Sequence, residues 1–264
     1  MTSATVPLAA TVAADAPRIS PWTWVTIFTR MLAIQGSWNY ETLLGNGIGF
    51  CVEPALRGLP GGVHGTAFKA AMARESAYFN AHPYLAAVAV GALARAELSG
   101  VPPERIERFR TALCGPLGSV GDRLVWAGWL PFCSLVALVA FGVGARPGAV
   151  VAIFLLLYNA GHVALRVWGL RVGWTRGLGV ASALANPVLR RGPAQIARAA
   201  AATAGVALPL VASALLGYRS ALVGGVLGSA VVAAIVLVRL HGRMEGWKLT
   251  LALIALFALV SVVR

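Results

Sequence analysis

The sequence predicts an all-α membrane protein, with amphipathic and re-entrant helices in the amino-terminal half leading into a multi-pass transmembrane helical bundle. Three observations predict it. Of 264 residues, 58% are apolar and 12% charged, and the mean hydropathy is +0.77; a soluble domain carries roughly 25% charged residues. Asp15, Glu41, Glu53, Glu75, Glu97, Glu104, Glu107 and Asp122 all precede residue 123, leaving only Glu245 afterwards. From there, apolar runs follow one another between Arg123/Arg146, Arg146/Arg166, Arg198/Arg219, Arg219/Arg239 and Lys248/Arg264. The first four are long enough for a hydrocarbon core of roughly 30 Å, and the last is marginal. The expected organisation is a mobile tail over 1–19, a cytoplasm-facing, interfacial and re-entrant helical part over 20–122, and a bundle of about five spans over 123–264.

Charge and cysteines exclude other classes. The net charge of +13 invites a nucleic-acid reading. Its distribution argues against that, because arginines stand singly or in pairs at the ends of apolar runs, as in cytoplasm-facing membrane loops. Cys51, Cys114 and Cys133 offer neither a disulfide framework nor metal spacing. No cofactor is expected. The first twenty residues have no positive charge before Arg18 and so lack the pattern of a secretory signal.

Ser20-Pro21 opens a helix, a capping hydroxyl followed by proline in the first turn. Through Ala33, Trp24, Phe28, Met31 and Leu32 fall on one face, opposite Thr23, Thr26 and Arg30. This face is expected to meet the membrane interface or a partner rather than a core of the chain's own. Gln35-Gly36-Ser37-Trp38-Asn39-Tyr40-Glu41 sets amides, a hydroxyl and an acid beside aromatic planes. Such groups can hold a sugar, or cap and pin a helix. Gly45-Asn46-Gly47-Ile48-Gly49 has no preceding strand and no Gly-Lys-Ser/Thr, so a nucleotide site is discarded.

Thr66 to Phe79 predicts a helix with Phe68, Ala71, Met72 and Phe79 inward. Asn80-Ala81-His82-Pro83-Tyr84 ends it, since a residue before proline avoids the helical region. His82 is either a packing histidine or a proton carrier. The apolar run over 84–93 is too short to span and fits a buried or re-entrant segment. Pro102-Pro103-Glu104 opens an amphipathic surface helix with Ile106, Phe109 and Leu113 on one face and a Glu104–Arg108 pair one turn apart.

That helix is expected to break at Cys114-Gly115-Pro116-Leu117-Gly118-Ser119-Val120-Gly121-Asp122-Arg123, because three glycines and a proline make a poor helix. The stretch reads as a backbone-exposing turn at a membrane boundary, or as a hinge into the first span. Asp122 would orient it by accepting backbone hydrogen bonds or pairing with Arg123. In the second run, Asn159, His162 and Arg166 share one helical face; polar groups at such depth face a cavity or a neighbouring helix. Ala201, Ala204, Gly205, Gly224, Gly225 and Gly228 allow close helix packing. Arg166 to Arg198 adds Arg171, Arg176, Arg190 and Arg191 without an acid, so it faces the cytoplasm, as does the Arg239–Lys248 turn. The carboxy terminus then lies outside.

Taken together, the blocks over 35–41 and 79–84, Gly115-Pro116-Leu117 with Gly121-Asp122, Tyr158-Asn159, and Arg166-Val167-Trp168-Gly169 with Gly173-Trp174-Thr175-Arg176-Gly177 resemble a specific family. They follow the order of the IID subunit of the mannose/fructose/sorbose-type sugar phosphotransferase system. The resemblance implies an inner-membrane subunit in an obligate complex with a IIC membrane subunit, assembled as a higher oligomer of such pairs within membrane lipid. The pair would move a hexose while cytoplasmic IIA and IIB proteins relay phosphate to it. It implies no phosphohistidine at His64, His82, His162 or His241, and no catalytic or metal residue on this chain. Candidates for translocation or the IIC interface are Gln35, Ser37, Trp38, Asn39, Glu41, Asn80, His82, Pro83, Gly115, Pro116, Gly121, Asp122, Asn159 and Arg166. Ala81 stands where the family usually has Thr, and Gly217-Tyr218-Arg219-Ser220 replaces a longer outer segment. A transport-inactive scaffold or regulatory relative is the alternative; a self-contained membrane enzyme lacks a plausible nucleophile–base pair.

Overall fold

The computed structural model describes residues 17–180, 187–217, 220–239 and 251. The tail over 1–16, Tyr218 and Arg219 of the outer turn, His241, the Arg239–Lys248 turn beyond Arg239 and the run ending at Arg264 lie outside them. The described residues are helical: α1 (Pro21–Leu32), α2 (Gly45–Leu56), α3 (Thr66–Glu75), α4 (Ala86–Leu98), α5 (Pro103–Gly121), a π-helical stretch (Asp122–Trp129), α6 (Leu130–Gly142), α7 (Pro147–Arg176), α8 (Pro187–Leu216) and α9 (Ser220–Arg239). Short 3₁₀ turns occupy Gly62–His64 and Gly177–Val180. Among the described residues, three helical stretches are long and apolar enough to cross a membrane: Pro103–Gly142, Pro147–Val180 and Leu189–Leu215. The chain is an all-α membrane protein.

Two compact units divide it, one over 1–131 and 156–197, the other over 132–155 and 198–264. The first holds a large apolar core. In α1, Ser20 accepts from the Thr23 amide at 3.0 Å, as the sequence predicts. The helix, however, buries Ile27 and Met31 against this core, with Trp24 and Phe28 alongside, while Leu32 is exposed. The expectation that its apolar face turns to membrane or partner is therefore corrected. The opposing wall comes from α2, which buries Ile48, Cys51 and Val52 behind a glycine-rich start that conceals its amphipathic pattern. Arg30, placed by sequence on the polar face, pairs with Glu53 at 2.7 Å and lies over the Phe50 ring.

Close backbone approach explains the glycines of Gly45-Asn46-Gly47-Ile48-Gly49. A Cβ on Gly45 would lie 2.1 Å from the Ala77 carbonyl oxygen, and one on Gly47 would lie 2.0 Å from that of Ile34. Helix α3 stops at Glu75 rather than Phe79, because backbone pairing claims Phe79: its amide donates to the Thr42 carbonyl and its carbonyl accepts from Leu44. As expected for an apolar run too short to span, α4 is buried on nearly every side. It crosses α7 at Gly91, Gly169 and Gly173, where a Cβ on Gly173 would sit 2.2 Å from the Val88 carbonyl oxygen. Small residues four apart permit such contact.

The expected break at Gly115 does not occur. Helix α5 runs through Gly115, Pro116 and Gly118 to Gly121 and continues as the π-helical stretch into α6, inside a single candidate span. Pro116 leaves the Ala112 carbonyl without its helical donor, yet the helix persists, because unpaired backbone groups are costlier in apolar surroundings than imperfect helix. Within the second unit, Gly142 packs on Leu210, where a Cβ would meet the Leu210 Cβ at 2.5 Å. By contrast, Gly205, Gly224, Gly225 and Gly228 meet nothing within 4 Å among the described residues, so their expected packing role is not filled there.

Candidate functional site

Pro83 prevents the segment 80–84 from joining α4, and the segment docks between α5 and α7. The His82 amide donates to the Leu117 carbonyl at 3.3 Å. A Cβ on Gly121 would lie 2.1 Å from the His82 Cβ, so only glycine lets the imidazole reach this depth. Of the glycines that looked like turn formers, Gly121 is the floor of a polar pocket, whereas Gly115 meets nothing within 4 Å among the described residues. His82 is 1% exposed. Its Nδ1 accepts from the Tyr84 amide at 3.2 Å, which assigns the proton to Nε2, and that atom is buried without a partner. Burial, reinforced by the Arg166 guanidinium, pulls its pKa down to about 4, so His82 is neutral.

Tyr84 is the hub. Its ring stacks on His162 with centroids 4.4 Å apart, touches His82 and Trp126 at 4.9 and 6.3 Å, and receives the Arg166 guanidinium over its face at 5.0 Å. Its hydroxyl lies 2.6 Å from that of Tyr158. Arg166 is 2% exposed and donates to the Met31 carbonyl; its Nε is buried and unpartnered, as is His162 Nε2. Asn159 Oδ1 lies 3.2 Å from His162 Nδ1, fixing that ring from below. Of the stripe, Arg166 and His162 meet other elements, whereas Asn159 is exposed and reaches His162 of its own helix. Arg166 meets its neighbours with no carboxylate, through a carbonyl and a π-face.

A second polar cluster supports this one from α3 and α5. Arg110 pairs with Glu75 at 2.5 Å, donates to the Ala77 carbonyl and lies over the Phe79 ring. Nearby, Arg74 binds Glu97 through two bonds of 2.8 and 2.7 Å. Burial pushes the Glu75 carboxyl up, Arg110 opposes it, and the neighbouring Glu97 adds to the rise. These pairs hold Phe79, and hence Asn80, in place.

Other candidates lie elsewhere. Asn39 organises its own loop: Oδ1 accepts from the Glu41 and Thr42 amides at 2.9 Å each, while Nδ2 donates to the Ser37 carbonyl and the Thr42 hydroxyl. That is the pinning role rather than a sugar cradle. Gln35, Ser37, Trp38 and Glu41 are exposed around it, with Trp38 edge-on to Tyr40. Asn80, Gly115, Pro116 and Asp122 are exposed. Arg123 turns its Nε to the Ser119 carbonyl at 3.2 Å; of the two roles expected for Asp122, the pairing with Arg123 is corrected. Likewise Arg108 donates to the Glu104 carbonyl rather than its carboxylate. The candidate site residues did not include Tyr84, Trp126, Tyr158, Glu75 or Arg110. Tyr84 and Tyr158 do lie in blocks that carry the family resemblance, which is a usable signal; the others are joined only by the fold. Among the described residues, no group of three or more His, Cys, Asp or Glu could hold a metal.

The family profile described as "PTS system mannose/fructose/sorbose family IID component" matches residues 18–208, which contain this entire site. The chain belongs to that family. Among curated IID proteins, the mannose-specific EIID component of Escherichia coli (strain K12) is 30% identical over 171 residues, 62% of this chain and 59% of that protein. The fructose permease IID component of Bacillus subtilis (strain 168) is 29% identical over 169 residues, 61% and 59% of the two chains. The sorbose-specific EIID component of Klebsiella pneumoniae is 29% identical over 175 residues, 63% and 61%. The chain thus spans less than two thirds of the length of the curated relatives it matches. A cryoEM structure of mannose transporter ManYZ with microcin E492 contains a chain of the same fold, with TM-score 0.54 and 22% identity over 93% of this IID chain and 97% of that one. A second solved structure, described as a membrane protein, gives TM-score 0.62 and 22% identity over 70% and 68% of the two chains.

Proposed function

We propose that this IID protein is the non-catalytic half of a sugar permease, pairing with a IIC membrane subunit to move a hexose that is phosphorylated through cytoplasmic IIA and IIB proteins. One observation carries the reading: within the family match, the buried polar residues form two structural clusters, one around His82, Tyr84 and Arg166 and one around Glu75, Glu97 and Arg110, and neither holds a nucleophile–base pair. His82 is enclosed, His162 is half-buried with its Nε2 inaccessible, and neither is presented for phosphate transfer. Such clusters set the geometry of a helix assembly. Its mechanism would be alternating access by rigid movement of one bundle against another.

Trp22, Trp38, Tyr40 and Tyr78 are exposed on the first unit and suit docking on a second membrane chain. The acid-free Arg166 to Arg198 segment supports placing that end in the cytoplasm, with residues 20–122 toward the same side and the carboxy terminus outside. Asp122, exposed beside the pocket floor, is assigned to the IIC contact. Co-expression of the tagged chain with its cognate IIC protein tests this reading. The intact pair co-purifies, and Trp38→Ala with Tyr40→Ala weakens recovery of IIC while leaving the chain folded. A IID chain that is stable, dispersed and unassociated with IIC contradicts the proposal.

A further inference from the structure

The first unit carries a partly open apolar cavity of about 380 Å³, lined by residues of all three candidate spans, among them Trp129, Gly161, Ala164, Trp168, Leu189 and Ile196. That volume lies within the roughly 300–1,000 Å³ of small-molecule sites. The cavity is built, not incidental: a Cβ on Gly161 would lie 2.3 Å from the Trp129 indole nitrogen, so glycine there admits the ring. The indole nitrogen donates to the Tyr158 carbonyl at 3.4 Å, which leaves the flat of the ring as wall. Beside it, sharing Leu189, lies a second cavity of about 430 Å³ lined by Val120, Arg123, Leu189, Arg190, Pro193 and Ala194. Arg123 and Arg190 are exposed, and no acid lines either cavity.

Register makes the two cavities one site. Arg190 precedes Ile196 by six residues of α8, so that wall lies about 9 Å along the helix from its arginine, and Arg123 likewise precedes Trp129 by six residues within the π-helical stretch. Trp168 of the oppositely directed α7 stands nearer the arginine-rich end than Gly161. The result is a slot with two cations at its mouth and hydrocarbon surface behind. A free anion would leave the apolar chamber unfilled, and an uncharged lipid would leave the arginines unmatched. Basic pockets between membrane helices are suited to anionic head groups.

We infer that this slot is a binding site for an anionic phospholipid, with an acyl chain in the chamber walled by Trp129 and Trp168 and the phosphate on Arg123 and Arg190. The test places the full chain in phosphatidylcholine vesicles containing brominated phosphatidylglycerol or, in parallel, brominated phosphatidylcholine. The site's share of tryptophan quenching is the difference between the native chain and the Trp129→Phe, Trp168→Phe variant. Phosphatidylglycerol is expected to quench at markedly lower mole fraction, and Arg123→Gln and Arg190→Gln each reduce that preference by about fivefold. Ala164→Phe, which fills the chamber wall, lowers quenching with helical content unchanged, and glycerol phosphate does not compete. Equal quenching by both lipids, a preference that survives loss of both arginines, or quenching indifferent to Ala164→Phe overturns the inference. So does competition by glycerol phosphate.

Discussion

Arg110 and Arg166 are both buried in the first unit, and the protein satisfies them by different means. Arg110 faces Glu75, a carboxylate that is itself wholly enclosed. Arg166 faces the Met31 carbonyl and the Tyr84 ring. The first is an ion pair that secures α3 to α5 and anchors the start of segment 79–84, with Glu75 Oε1 left buried and unpartnered. The second, beside the unpartnered nitrogens of His82 and His162, retains unused hydrogen-bonding capacity. One region commits a matched pair of charges to holding a shape and leaves a single oxygen over; the other holds its charge without a counter-ion and leaves three nitrogens over.

Removing each charge breaks the comparison most directly. Arg110→Met leaves the Glu75 carboxylate buried alone, and is expected to cost about 3–5 kcal/mol. Thermal unfolding in detergent reads the loss, and Glu75→Gln in the same background restores part of it. Arg166→Met leaves no charge stranded, only a carbonyl and a ring, so about 1–3 kcal/mol is expected. A larger loss at Arg166 than at Arg110 would reverse the assigned roles. Next comes Gly173→Leu, which drives a side chain into the Val88 backbone. It is expected at the upper end of the roughly 1–3 kcal/mol overpacking range, and is read by protease sensitivity of the folded chain.

Acid sharpens the contrast. His82 is held neutral, with a folded pKa of about 4 against an ordinary value of 6.5. Its stabilising contribution is therefore complete above pH 6.5 and is lost as pH falls toward 4, up to the order of 3 kcal/mol. His82→Asn is expected to flatten that part of the pH–stability profile; an unchanged acid limb contradicts the assignment. The smallest effect lies at the edge of the same unit. Ser20→Ala removes the cap of α1 and costs about 1 kcal/mol, measured by thermal unfolding.

Elements whose signals are local are legible in the sequence. The Ser20-Pro21 cap, the buried run of α4 and the shared face of Asn159, His162 and Arg166 all follow from spacing within a few residues. What failed depends on distant partners. The glycines at 115, 118 and 121 read as a turn because propensity alone cannot know that His82 fills the space beside Gly121. Leu32 fits the apolar face of α1 by composition, but Ile27 takes the buried position because α2 lies on that side. The Glu75–Arg110 and Tyr84–Tyr158 contacts join residues 35 and 74 apart, a separation at which no periodicity speaks.

On the proposed function, the pocket organises half of a transporter and performs no chemistry by itself. Proteoliposomes containing this chain, its IIC partner, or both, supplied with phosphorylated IIB, test it by accumulation of hexose phosphate. The account predicts accumulation with the pair and none with either chain alone. Accumulation in vesicles that hold only this chain would contradict it.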